Sequence, residues 1–91
     1  MAKPDYIKEI TYEIEAHTRP GRFVVPKEVL EPLGLSETDP IHLVIRDADN
    51  PGEILFDDNK NMKSGPEVYG PDIKAIVESK QRLRITASRT D

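Results

Sequence analysis

Three segments of this 91-residue chain alternate apolar and polar side chains with a period of two. In residues 6–16, one face is aliphatic and aromatic, whereas the other face carries glutamates and a threonine. Residues 41–46 and 82–88 alternate in the same way. Because this period is typical of a strand that buries one face, the sequence predicts a mainly β fold.

Shorter elements lie between these strands. Phe23-Val24-Val25 is predicted as a second strand that Pro26 ends, and residues 26–33 as a short helix that stops before Gly34. Residues 53–56 are predicted as a further strand, 57–66 as a polar loop, and 71–77 as a second helix. We therefore expect a domain at 1–57, a linker at 58–70, and a helix and basic strand extension at 71–91.

One segment resembles a known family. Gly21-Arg22-Phe23-Val24-Val25-Pro26, followed by Glu28-Val29, Leu33-Gly34-Leu35, Asp39 and Ile41, resembles the AbrB/MazE group of prokaryotic regulators over about residues 7–57. The resemblance implies a swapped-hairpin β-barrel, in which two chains interleave as a homodimer. It also implies DNA binding, either as a transcription regulator or as an antitoxin that binds a protein toxin.

The size of the domain favours the same assembly as the resemblance. Four short strands within about 50 residues are too few to bury their apolar faces in one copy. We therefore expect two chains to share a core, and such dimers could pair into tetramers. The expected core residues are Tyr6, Ile10, Tyr12, Ile14, Val24, Val29, Leu33, Leu35, Ile41, Leu43, Ile45, Ile54 and Phe56.

Five basic residues are the predicted DNA contacts. The resemblance assigns Arg22 to DNA, and Arg19 and Lys27 flank it near the first turn and the helix start. Related proteins carry a basic pair where this chain has leucine and glutamate at 30–31, so Arg82 and Arg84 of the last strand are predicted to supply the missing charge. Phosphate contact requires such charge.

Four of these five contacts have a structural alternative. Arg19 and Arg22 could form a solvated turn that pairs with Glu13 or Glu15. The last strand could be a solvated edge strand, on which positive charge prevents aggregation between edges.

Two other functions stay open at this point. An antitoxin could hold a protein partner through its C-terminal segment, although residues 66–87, with Val68, Tyr69, Ile73, Ile76 and Val77, could pack on the barrel of their own chain instead. Alternatively, the fold could serve for dimerisation without DNA binding, because the net charge is −4 and residues 23–50 carry six acidic and two basic groups.

The sequence offers little sign of catalysis or of metal binding. It has no cysteine, and its two histidines lack the spacing of metal ligands. We expect neither an enzyme nor a cofactor. No apolar run approaches the roughly 20 residues of a membrane span, so a cytoplasmic protein without membrane contact is expected.

Overall fold

The computed structural model describes residues 6–16, 20–62 and 66–90. Within them the fold is mainly β, as predicted, with two short helices. The elements are β1 (Glu9–Glu15), β2 (Arg22–Val24), α1 (Lys27–Leu33), β3 (Pro40–Asp47), β4 (Asn50–Asn61), β5 (Glu67–Tyr69), α2 (Pro71–Ser79) and β6 (Arg82–Ser88).

The main sheet has four antiparallel strands in the order β1-β6-β3-β4. The last strand of the chain therefore lies between β1 and β3, with Ile85 opposite Tyr12 on one side and Ile45 on the other. The alternative of a solvated edge strand is wrong, since β6 is hydrogen-bonded on both sides. The residues that we expected to form an extension supply a central strand of the sheet.

One face of this sheet, which we call the inner face, forms the core. Leu83, Ile85 and Ala87 of β6 are fully buried there, and so are the apolar residues of β3, Ile41, Leu43 and Ile45. A second layer covers this face, made of α1, α2 and the small β2–β5 sheet. Its buried side chains are Phe23, Val25, Val29, Leu30, Leu33, Val68, Ile73 and Val77.

One copy of the chain covers the inner face of its own strands, contrary to our expectation. That expectation counted only residues up to about 57, whereas β5, α2 and β6 come from the remainder of the chain and complete the core. The C-terminal segment also packs on its own chain, which was the alternative to a partner contact, since Val68, Ile73 and Val77 are buried there.

Both predicted helices are present, with α1 beginning one residue later than predicted and α2 continuing two residues further, to Ser79. Pro26 precedes α1, and Gly34 ends it in the left-handed conformation, with φ of 74°. A side chain at Gly34 would also collide with Tyr6, whose ring lies 2.7 Å from the position of a Cβ atom. Pro71 opens α2, which buries Ile73 and Val77 against the core.

The structure differs from the sequence prediction in β4, β5 and β2. The predicted loop at 57–66 contains the end of β4, and the predicted linker contains β5. In β2 the buried side chain is Phe23 rather than Val24. The predicted core residues Tyr6 and Ile54 are exposed. Tyr6 lies before the start of β1, and Ile54 is paired with Arg46 rather than with an apolar residue of β3.

Tyr12 on the inner face leads to a test of the core. Its hydroxyl is buried without a hydrogen-bond partner among the described residues, and burial raises its pKa far above the ordinary value. An unsatisfied buried hydroxyl costs about 1–3 kcal/mol. Tyr12→Phe should therefore raise the free energy of unfolding by about 1 kcal/mol in urea titrations. Tyr69→Phe, at an exposed ring, is the control and should change little; a less stable Tyr12→Phe protein would contradict the assignment.

The position of β6 leads to a second test. The only strand that pairs with β1 among the described residues is β6. A chain cut after residue 70 should therefore show no cooperative thermal transition in circular dichroism, because β1 has no partner and the core lacks the three buried residues of β6. Cooperative unfolding of residues 1–70 would instead show that the first part of the chain folds by itself.

Candidate nucleic-acid interface

The second face of the four-stranded sheet, the outer face, carries the polar residues of the alternating strands. Glu9, Thr11, Glu13 and Glu15 of β1 lie on it, opposite Ser88, Thr86, Arg84 and Arg82 of β6. On β3 the outer-face residues are His42, Val44 and Arg46. Since α1, α2 and the β2–β5 sheet pack on the inner face, no described element covers the outer face.

Glu13 of the edge strand β1 binds two arginines of β6 on this face. Its Oε2 accepts hydrogen bonds from Arg84 Nε and Nη2, at 3.1 and 2.8 Å. Its Oε1 accepts a hydrogen bond from Arg82 Nη2 at 2.8 Å. The predicted contacts Arg82 and Arg84 therefore lie together on one surface, and the Glu13 carboxylate accepts hydrogen bonds from both guanidinium groups.

These contacts also set the charge of Glu13. The hydrogen bond from Arg84 is the largest influence and holds the pKa of the Glu13 carboxyl below its usual range, with further help from the charges of both arginines. Glu13 is thus ionised over the whole neutral range, and its carboxylate presents to the two guanidinium groups the same pair of acceptor oxygens that a phosphate would present.

Arg46 adds a third arginine, which was not among the predicted contacts. It lies directly opposite Arg84 on the neighbouring strand, so the two Cα atoms are about 5 Å apart. Arg46 is half-buried, and it has no hydrogen-bond or ion-pair partner among the described residues. Like charges directly opposite one another are unfavourable, so this pair of arginines favours an anion between them.

The outer face has a distinct order of charge. Its arginines, at 46, 82 and 84, lie on the two central strands β3 and β6. Its acidic groups lie on the two edge strands, β1 and β4. A chain with a net charge of −4 therefore still has a local basic stripe. We call Arg46, Arg82 and Arg84 the arginine stripe.

The other predicted contacts lie in the second layer. Arg22 on β2 donates to Glu67 on β5 at 3.3 Å and keeps 46% of its side chain exposed. Lys27 at the start of α1 pairs with Glu31 one turn later, at 3.5 Å. Arg19 lies outside the described residues. The predicted contacts are therefore split between two layers, and Arg22 pairs with neither Glu13 nor Glu15.

A groove of about 510 Å³ runs beside Arg22. It lies between the β2–β5 sheet and α2, and it is lined by Pro20, Gly21, Arg22, Tyr69, Gly70, Lys74 and Glu78. Lys74 has no ion-pair partner in the described part of the chain. Arg22 and Lys74 thus form a second basic surface, separate from the arginine stripe.

His42 is held on the outer face by two side chains of β4. Its Nδ1 lies 2.7 Å from Asn59 Oδ1, and its Nε2 lies 2.9 Å from Asp57 Oδ1. Ser88 is opposite His42 on β6, but both ring nitrogens point to β4 partners rather than to its hydroxyl. The cluster therefore ties β3 to β4.

A cluster of metal ligands and a membrane-spanning helix are both absent from the part of the chain that the structure describes. It contains no group of three or more His, Asp or Glu side chains that could hold a metal ion. Among the same residues, neither helix has the length and apolarity that crossing a bilayer requires.

The fold and this face define a small, mainly β protein with an arginine stripe on an open sheet. Comparisons with protein-family models, curated proteins and solved structures give no match. The resemblance of about residues 7–57 to AbrB/MazE regulators therefore stays a prediction from the sequence.

The low pKa of Glu13 leads to a test by pH. A carboxyl whose pKa is lowered by folding adds stability above its unfolded value, near 4.5, and this stability is lost as the pH falls through the folded pKa. Glu13→Gln should therefore lower the melting temperature at pH 7, and this difference from the wild type should shrink as the pH is lowered below 4.5. A difference that does not change with pH would contradict the ion pairs.

Proposed function

We propose that this protein is a homodimeric DNA-binding transcription regulator of the AbrB type, with the arginine stripe as its phosphate contact. The observation that carries the proposal is the pair formed by Arg46 and Arg84. They lie opposite one another on a sheet face that no described element covers, and Arg46 has no partner among the described residues.

The chemistry of these side chains supports phosphate as the ligand. A guanidinium group presents several donors in one plane, which match the oxygens of a phosphate in a bidentate contact. Threonine and serine hydroxyls at 86 and 88 lie on the same face and can donate to phosphate oxygens as well. Such contacts fix the position of the protein on a duplex.

The charge order of the outer face supports a defined orientation. The acidic residues of β1 and β4 flank the arginine stripe and repel a polyanion at both edges. A nucleic-acid backbone is therefore favoured along the two central strands only. Because few phosphates are neutralised, binding should be moderate in affinity and strongest at low salt.

A dimer would double this contact. The resemblance of residues 21–29 to swapped-hairpin regulators supports a homodimer, and so do the exposed Ile54 on β4 and the position of β1 and β4 at the two sheet edges. Light scattering after gel filtration should give about twice the 10.3 kDa of one chain. A mass of one chain at all protein concentrations would contradict this part of the proposal.

The DNA contact is tested by paired substitutions. In fluorescence anisotropy on a duplex from the upstream region of the gene, Arg82→Ala with Arg84→Ala should weaken binding. The slope of log affinity against log salt should fall by about 0.9 for each phosphate that the variant no longer neutralises. The second-layer variant, Arg22→Ala with Lys27→Ala, is the comparison.

The two variants separate the two surfaces. A larger decrease of affinity in the Arg82 and Arg84 variant places the duplex on the outer face. A larger decrease in the Arg22 and Lys27 variant would place it on the second layer and would sink the proposed contact, although DNA binding itself would stand.

A dimerisation module without DNA binding is the second candidate function. It is favoured by the ion pairs, because each predicted contact in the described part of the chain already binds a carboxylate: Arg22 to Glu67, Lys27 to Glu31, and Arg82 and Arg84 to Glu13. Absence of binding to any duplex at low salt, with a dimeric mass, would select this function.

A further inference from the structure

The position of Glu13 carries an inference that rests on the proposed function and refines its site. One carboxylate receives three hydrogen bonds from two arginines of the neighbouring strand. Arg82 and Arg84 are two residues apart on β6 and point to the same face, so their Cα atoms are about 7 Å apart. A group with two acceptor oxygens fits between their guanidinium groups, and Glu13 supplies these oxygens.

We propose that Arg82 and Arg84 form a phosphate site which Glu13 fills in the free protein, and that Arg46 makes the first contact with a nucleic-acid backbone. The ligand class is the phosphodiester group. When a phosphate enters, it takes the guanidinium donors that Glu13 now holds, and the Glu13 side chain turns to solvent.

The exposure of these residues makes such an exchange feasible. The side chain of Glu13 is 34% exposed, and those of Arg82 and Arg84 are 55% and 37% exposed. Ion pairs that are this open to water contribute little to stability, because solvent screens them. A polyanionic backbone, which brings several phosphates to the stripe at once, can therefore replace Glu13 without disturbing the core beneath.

Arg46 differs from the other two arginines because no acidic group among the described residues holds it. Its neighbours across the sheet are Arg84 on β6 and Ile54 on β4, and neither side chain can accept a hydrogen bond from it. Its donors are therefore available before Glu13 moves. This order of events makes Arg46 the residue on which the affinity of the wild type depends most.

The test compares two substitutions on β1, Glu13→Gln and Glu9→Gln, which remove the same charge. The probe is a fluorescein-labelled duplex of mixed sequence, long enough to span the sheet and titrated at low salt. Glu13→Gln should bind it roughly two- to fivefold more tightly than the wild type, because the ion pairs no longer compete. Glu9→Gln removes the same charge from the same face, and Glu9 has no arginine partner among the described residues; it should change the affinity by less than about twofold. Arg46→Ala should weaken binding roughly tenfold.

A combined variant shows whether Glu13 acts through the arginines. The gain from Glu13→Gln should disappear in a protein that also carries Arg82→Ala and Arg84→Ala. A gain that persists there, or an equal gain from Glu9→Gln, would mean that Glu13 acts only through net charge and would overturn the inference. Circular dichroism melts of every variant confirm that the fold is retained.

The outcome also separates this inference from the proposed function. Tight binding by the wild type with no gain in Glu13→Gln would overturn the phosphate site filled by Glu13 and leave DNA binding intact. Failure of every variant, including Glu13→Gln, to bind the duplex would overturn the proposed function itself.

Discussion

The insertion of β6 between β1 and β3 is the constraint on which the rest of the structure depends. It joins the first and last described strands of the chain, with Glu9 opposite Ser88. It brings three fully buried side chains, Leu83, Ile85 and Ala87, to the middle of the inner face. Pairing two strands that are so far apart in the chain has an entropic cost. The burial of these three side chains offsets that cost. The same strand carries arginines 82 and 84 on its other face, so the core and the candidate interface arise from one pairing.

Glu13 and Arg46 owe their positions to this pairing. Glu13 reaches Arg82 and Arg84 only because β1 is adjacent to β6, and Arg46 lies beside Arg84 only because β3 is on the opposite side. A central basic stripe with acidic flanks follows from the strand order. A protein of net charge −4 can in this way hold a local site for an anion.

The elements with a strong and local pattern were predictable from the sequence. Alternation identified β1, β3 and β6, and the positions of Pro26, Gly34 and Pro71 bounded the helices. The end of β4 was not predicted, because the polar residues 57–61 of an edge strand resemble a loop. The three apolar residues at 23–25 gave no alternation from which the buried side of β2 could be inferred. The short β5 has no pattern of its own and depends on its pairing with β2.

The candidate site was predictable in part. Arg82 and Arg84 were predicted to share one face, which β6 confirms. Arg46 alternates with the buried residues of β3 in the same way as His42 and Val44. Its position on the outer face could therefore be predicted from the sequence. Its position beside Arg84 was not readable, because the register between β3 and β6 is a long-range pairing. The pairing of Glu13 with both arginines was hidden for the same reason.

The most direct measurement of the central claim is a titration of ¹⁵N-labelled protein with duplex DNA, followed by amide chemical shifts. If the arginine stripe binds phosphate, the largest shifts fall at residues 44–46 and 82–86, together with 13 as its side chain is released. Shifts confined to residues 20–31, or an unchanged spectrum at low salt, would contradict the account.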